Sequence, residues 1–526
     1  MDDLTWWQRG ATYQIYPRSF ADSDGDGVGD LAGIVKQLDY LATLRIEGLW
    51  LSPIFPSPMA DFGYDVSDYC DIDPVFGSMS DLERLVEGCH ARGIKLILDW
   101  VLNHTSDQHP WFVASRSDRG DPRRDWYVWR DGPTPGSAAG GPPNNWLSRF
   151  EAVGSAWTFD DNSGQWYLHS FMREQPDLNW DNPQVRDAMY DVMRFWLDRG
   201  VDGFRLDAVH RIGKDPLLRD NVPGERPHDD DWDTLHDRLR GIRAVTDAYS
   251  DRMLVGELYV LDLPRFVSYV SGGDGLHMAH NFSFLDLPWS ATAYRESIEE
   301  FERLSTRATW PAWFLANHDL PRVASRFDTD KDGSSGHGPA RARAVGLMLY
   351  ALRGTPFVYQ GEELGLPDAV IPPDRIVDVD GRDPQRAPIP WQAPSSAGPA
   401  AGFSTGKPWL PLIDQAETLN VVTQDADETS TLNLYRRLAR LRADNPVLQG
   451  GAQTMIDLGP ELLAWTRTSD TDSLLAIVNF ATSTTPIEVA PVLTKHPTLV
   501  LSTDHTRERV DISELSLAPG EAVILR

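Results

Sequence analysis

Cysteine is nearly absent: Cys70 and Cys89 are the only two in 526 residues. Two thiols cannot build the disulfide framework of a small secreted fold, so the expected setting is reducing and cytoplasmic. Both read as buried thiols rather than metal ligands. Long apolar runs are missing too. No stretch approaches the roughly 18 consecutive apolar residues of a membrane span. The start, Met1-Asp2-Asp3-Leu4, is acidic where a secretory signal would be basic and then apolar. Basic charge is scarce, with 49 Lys and Arg against 78 Asp and Glu, a formal net charge of −29. That deficit argues against nucleic acid, anionic membranes and phosphorylated substrates, which all call for basic patches. A small neutral ligand remains. Aromatics are plentiful: most of the 19 Trp serve as bulky filler, and some are free to stack on flat apolar faces such as sugar rings.

Periodicity sets the architecture. Strand-like stretches at 12–20, 48–54 and 95–101 alternate with helical ones at 31–44 and 80–92, which implies a parallel α/β sheet. A fourth strand, 203–209, starts about a hundred residues after the third, far more than the dozen or so that a crossover needs. Helix 183–199 supplies that crossover. The excess, 105–175, is rich in Gly, Pro, Trp and Asp and reads as a small inserted domain B. Alternation resumes with helix 233–250, strand 253–259, a strand near 281–285, helix 291–304, strand 311–319, helix 339–353 and strand 355–363. Eight strands in this order predict a (β/α)8 TIM barrel, domain A, over 1–104 and 176–447. An irregular stretch, 364–425, precedes a last helix at 427–443. From 448 to 526 the period changes to two, which predicts an antiparallel β-sandwich, domain C.

Chemistry concentrates at strand ends. In Gly203-Phe-Arg205-Leu-Asp207 charged residues alternate with apolar ones, so Arg205 and Asp207 share a strand face. Taken alone, that stretch fits either a structural ion pair or a catalytic strand end. Asp99 and His104 follow strand three, Glu257 ends strand five, and His318 and Asp319 end strand seven. Carboxylates on three strands of one barrel form a convergent site. Without a metal-ligand pattern they suit an oxocarbenium-like transition state. Asp99 would orient Arg205 or contact sugar. His210 reads as a helix-start residue. Separately, Asp22, Asp24, Asp26, Val28 and Asp30 form a loop of alternate carboxylates and glycines, suited to Ca²⁺ or Mg²⁺. An EF-hand would place Glu where Gly33 stands. The similar run at 328–333 reads as an exposed turn.

The chain resembles glycoside hydrolase family 13, the α-amylase family, over nearly its whole length. The resemblance rests on Asp99-Trp-Val-Leu-Asn103-His104, Gly203-Phe-Arg205-Leu-Asp207-Ala-Val-His210, Gly256-Glu257-Leu-Tyr and Leu315-Ala-Asn-His318-Asp319. Tyr13-Gln-Ile-Tyr-Pro-Arg-Ser-Phe, Gln175-Pro-Asp-Leu-Asn179 and Gly381-Arg382-Asp-Pro-Gln-Arg386-Ala-Pro are similar to its α-glucosidase and oligo-1,6-glucosidase branch. The resemblance implies Asp207 as nucleophile, Glu257 as acid and base, and Asp319 as a ligand of the distorted sugar ring. Arg205 would keep Asp207 ionised. Tyr64 and Asp65, His104, Phe171 and His318 would line the glucose pocket, with Arg386 pairing with Asp65 to close its end. Ala208, next to the nucleophile, would face the leaving sugar. The loop at Asp22, Asp24, Asp26, Val28 and Asp30 would hold a structural divalent cation, Val28 through its carbonyl.

The function so implied is a retaining, exo-acting α-glucosidase acting on α-1,4-linked glucose in short substrates such as maltose, with some transglucosylation. A sugar isomerase making trehalose or isomaltulose, or an oligo-1,6-glucosidase, would use the same carboxylates. The expected assembly is a monomer or small homo-oligomer.

Overall fold

The computed structural model describes residues 4–306, 308–330, 333–487, 498–507 and 515–526. Asp2 and Asp3 of the acidic start, and Asp332 of the 328–333 turn, lie outside the described residues. Eight parallel strands close a barrel: β1 Ala11–Ile15, β2 Ile46–Leu51, β3 Lys95–Val101, β4 Gly203–Asp207, β5 Met253–Leu258, β6 Met278–Asn281, β7 Ala312–Trp313 and β8 Thr355–Tyr359. Each strand lies beside its neighbours in the chain, and β8 returns to β1. That is the order expected when each connection is a right-handed crossover to the neighbouring strand. Every residue of β1, β4 and β8 is buried. Strands covered on both faces need apolar runs, and Arg205 and Asp207 are buried within one.

The elements depart from expectation where side chains cap the backbone. The sixth strand ends at Asn281, and Phe282–Leu285 is helical. The cause is the Asn281 side chain, which accepts the Phe284 N–H at 3.3 Å and starts a helical turn. The seventh strand keeps only Ala312–Trp313 because Asn317 Oδ1 takes the N–H groups of Asp319 and Leu320, at 2.9 and 3.0 Å, and turns the chain. The helix expected at 31–44 is two helices, Leu31–Lys36 and Leu38–Thr43, which meet at Gln37. The last long helix, Thr431–Ala443, starts later than expected, at a Ser430 cap.

Between β3 and β4 lies a three-stranded antiparallel sheet of Trp129–Arg130, Gln165–Leu168 and Trp157–Asp160. Trp146, Trp157, Val128 and Leu168 form its core. Near the C-terminus, five antiparallel strands run in the order Ala452–Asp457, Leu462–Thr468, Ser473–Asn479, Ala522–Leu525 and Leu499–Ser502. A two-stranded ribbon, Thr485–Pro486 with Ser516–Leu517, contributes to the same core. The chain divides into two compact units: Met1–Trp50, Glu87–Lys95 and Asn281–Arg526, and Leu51–Val86 with Leu96–His280. Among the described residues no helix is long and apolar enough to cross a membrane.

Candidate active site

Register places the first group of side chains. β3 and β4 pair with Asp99 opposite Arg205, and β4 and β5 pair with Leu206 opposite Gly256. Asp207 and Glu257 are therefore the next residues in the same register. Arg205 gathers all three carboxylates. Its Nη1 donates to Asp99 Oδ1 at 2.7 Å and to Asp207 Oδ1 at 2.6 Å, and its Nη2 lies 2.9 Å from Glu257 Oε2. The strand stops at Ala208, whose left-handed backbone (φ 40°) aims its N–H at Glu257 Oε2, 2.7 Å away. Glu257 Oε2 thus accepts two donors.

One guanidinium cannot neutralise three carboxylates. Burial raises the Asp207 carboxyl well above the usual range; Arg205 opposes the rise, and Glu257 and Asp99 add to it. Burial likewise pushes Asp99 up to about 6 against the pull of Arg205. Arg205 thus acts on Asp207 in the expected direction, favouring the ionised form, but its guanidinium is shared among three carboxylates.

The pocket residues expected around this cluster connect to it. Tyr64 donates its hydroxyl to Asp99 Oδ2 at 3.1 Å, and its carbonyl lies 3.1 Å from His104 Nε2. Phe171, partly buried, leans on the His104 ring at 5.0 Å between centroids. Burial pushes His104 down to about 4, so it is a neutral imidazole at pH 7. Asp65 is fully buried and accepts from Ser57 Oγ at 2.8 Å and from the N–H groups of Ala60 and Asp61, both at 2.9 Å.

In the other compact unit Asp319 anchors a second group. Arg386 Nη2 reaches Asp319 Oδ1 at 2.9 Å, and its Nε donates to the His318 carbonyl at 2.8 Å. Arg382 Nη1 stands 3.4 Å from the same Asp319 oxygen. Gln14 Nε2 contacts His318 Nδ1 at 2.8 Å, and the Tyr16 ring stacks on His318. The expected Arg386–Asp65 pair is replaced. Arg386 takes Asp319 and Asp378, and Arg382 also grips Asp378. Asp378 lies in the same irregular segment as both arginines, while the Asp65 oxygens already have three local donors.

The matched family model, "Alpha amylase, catalytic domain", spans residues 14–451. The chain belongs to the α-amylase family of glycoside hydrolases. Among its relatives in this family, the chain is 40% identical to a probable alpha-glucosidase of Rhizobium meliloti (strain 1021), over 91% of this chain and 90% of that one. It is 35% identical to an oligo-1,6-glucosidase of Parageobacillus thermoglucosidasius, over 100% and 99%. The crystal structure of the trehalulose synthase MutB from Pseudomonas mesoacidophila MX-45 superposes with a TM-score of 0.90, at 32% identity and 99% of each chain.

Against this glycoside hydrolase background, the acidic loop brings together Asp22, Asp24 and Asp30, one carboxylate oxygen of each lying within 4.8 Å of the others. An all-oxygen carboxylate set suits a hard divalent cation, so these residues fit Ca²⁺ or Mg²⁺. Asp26 stays outside this set, its Oδ1 accepting the Val28 N–H at 2.7 Å. Three contributors to the site region escaped sequence reasoning. Asp378 carried a signal in its four- and eight-residue spacing to Arg382 and Arg386. Gln175, whose amide touches His104, stood in the motif Gln175-Pro-Asp-Leu-Asn179 but was given no role, and Lys214, 3.0 Å from the buried Asp177 and 2.8 Å from Asn103 Oδ1, carried no signal.

Proposed function

We propose that this glycoside hydrolase is a retaining, exo-acting α-glucosidase that releases glucose from short α-1,4-glucosides such as maltose, with transglucosylation as a side reaction. The reading rests above all on Asp207 and Glu257, neighbours in register and held by the same guanidinium. Asp207 attacks the anomeric carbon while Glu257 gives its proton to the departing oxygen, leaving a β-glucosyl ester on Asp207. Glu257, now a carboxylate, takes a proton from water as that water opens the ester, and the α configuration returns. Asp319, fixed by Arg386, binds ring hydroxyls. The three carboxylates on Arg205 support the division of roles, because burial and mutual repulsion raise the Asp207 and Asp99 carboxyls while the guanidinium opposes the rise. The Asp22, Asp24 and Asp30 loop would hold one Ca²⁺ or Mg²⁺, whose charge would offset carboxylate repulsion and stiffen the fold.

NMR of the first product tests the mechanism: α-glucose is expected, and β-glucose refutes retention. Asp207→Ala should cost several orders of magnitude in rate. Likeness to a trehalulose synthase favours a second reading, sugar isomerisation. Chromatography of products from maltose, isomaltose, sucrose and trehalose separates the two, since an isomerase yields a rearranged disaccharide in place of free glucose.

A further inference from the structure

The irregular stretch 364–425 contains few regular elements, yet it carries Arg382 and Arg386, which fix Asp319. Something outside it must hold it in place. It is joined to segment 19–30 by several hydrogen bonds. Asp22 donates its N–H to the Phe403 carbonyl at 2.9 Å and accepts from Ser404 Oγ at 2.5 Å. Trp409 donates its N–H to the Gly27 carbonyl at 3.0 Å. Ile389 donates to the Ser19 carbonyl at 2.9 Å, and Trp391 Nε1 to the Phe20 carbonyl at 2.7 Å.

The loop glycines are shaped to this approach. Gly25 and Gly27 both have positive φ, 90° and 94°. A Cβ on Gly25 would lie 2.4 Å from Thr405 Oγ1, and one on Gly27 2.1 Å from the Lys407 carbonyl oxygen. An acidic turn alone needs only the φ; the steric fit belongs to the docked segment.

Ser19 is the junction. It is fully buried, accepts from Trp409 Nε1 at 3.0 Å, and donates to the carbonyl of Arg386. The same Trp409 ring lies 6.3 Å from Tyr16, whose ring stacks on His318. A continuous set of contacts therefore runs from the acidic loop through Trp409 and Ser19 to the backbone of Arg386, and through its side chain to Asp319.

We propose that segments 19–30 and 403–409 form a latch that positions Arg386 and, through it, Asp319, with Ser19 and Trp409 as the positioning residues. A divalent cation on Asp22, Asp24 and Asp30 tightens the latch, because Asp22 is also the acceptor for Ser404. The latch builds on the α-glucosidase reading: the sugar that Asp319 holds is taken to be glucose.

The test uses the full chain and two variants. Ser19→Ala removes the junction, and Trp409→Phe keeps an aromatic ring while deleting the indole N–H. Glucose affinity by calorimetry, steady-state constants on maltose and melting temperature are measured with Ca²⁺ and with EDTA. Both variants should bind glucose about tenfold more weakly and raise KM by a similar factor, with kcat changed by less than about threefold. Chelation should weaken glucose binding by the wild type and add little in the variants. Variants that melt lower but keep wild-type affinity and KM overturn the latch. Chelation that leaves wild-type glucose affinity unchanged overturns the role of the cation. Wild-type turnover of maltose checks the underlying reading separately: its absence sinks the α-glucosidase assignment, whereas an active wild type with unmoved variants sinks the latch alone.

Discussion

Glu362, just beyond β8, is a buried carboxyl with no part in the proposed chemistry. Its Oε2 accepts the Tyr359 N–H at 2.6 Å, and its Oε1 has no hydrogen-bond partner among the described residues. Burial raises it from 4.5 to about 8, with the Tyr359 N–H and Arg322 opposing and Glu363 adding. In the unfolded chain it ionises near its ordinary value. The fold therefore gains from the protonated form below about pH 4.5 and loses that gain as pH rises through about 8. Each pH step in that window costs about 1.4 kcal/mol, so roughly 4 kcal/mol is lost between pH 5 and pH 9. A chain this long unfolds with an entropy of about 1.1 kcal/mol/K, taking about 2.1 cal/mol/K per residue, so the loss amounts to about 4 °C. Glu362→Gln keeps the shape and an acceptor for Tyr359 but cannot ionise. Scanning calorimetry at both pH values should show variant and wild type melting together at pH 5 and the variant about 2–4 °C higher at pH 9. A difference that is equal at the two pH values refutes the argument, because Glu362 would then be solvated or paired in solution.

Lys214→Met should destabilise the fold by about 3–5 kcal/mol, because it strands the buried Asp177 carboxylate; adding Asp177→Asn should recover most of the loss in melting temperature. Asp99→Asn removes a negative neighbour of Asp207, so the acid limb of kcat/KM should move to lower pH, and an alkaline shift in the pH–rate profile would contradict this coupling between the two carboxyls. Ala208→Val should lower the ratio of kcat/KM for maltose over isomaltose by about 10–200-fold by crowding the leaving sugar. It should also lower the melting temperature, since a β-branched residue is strained at φ 40°. An unchanged ratio in paired kinetics would remove Ala208 from the specificity argument.

The barrel is legible in the sequence because its strands are short apolar runs separated by amphipathic helices, and β3 runs from Lys95 to Val101 as periodicity predicts. The Arg205–Asp207 pair is legible because alternation along a strand dictates a shared face. Side-chain caps blur the ends: Asn281 and Asn317 each end a strand that apolar content alone would extend. The partners of Arg386 are illegible for a different reason. The segment 364–425 has no period, so nothing in its order says which carboxylate an arginine will meet. The same holds for the sharing of Arg205, which depends on three strands being side by side.

The contact between Lys214 and Asp177 bears on how this family can be recombined. Asn103 and Asp177 flank the insertion between β3 and β4, and the ammonium that joins them comes from beyond β4. The insertion is therefore not a portable module: its exit is written partly outside it. A chimera that exchanges the insertion together with its flanks, residues 103–177, between relatives must keep position 177 matched to position 214, or it imports a buried charge with no counterion. Recombination breakpoints placed after Lys214 carry the pair intact, and those placed between Asp177 and Lys214 divide it.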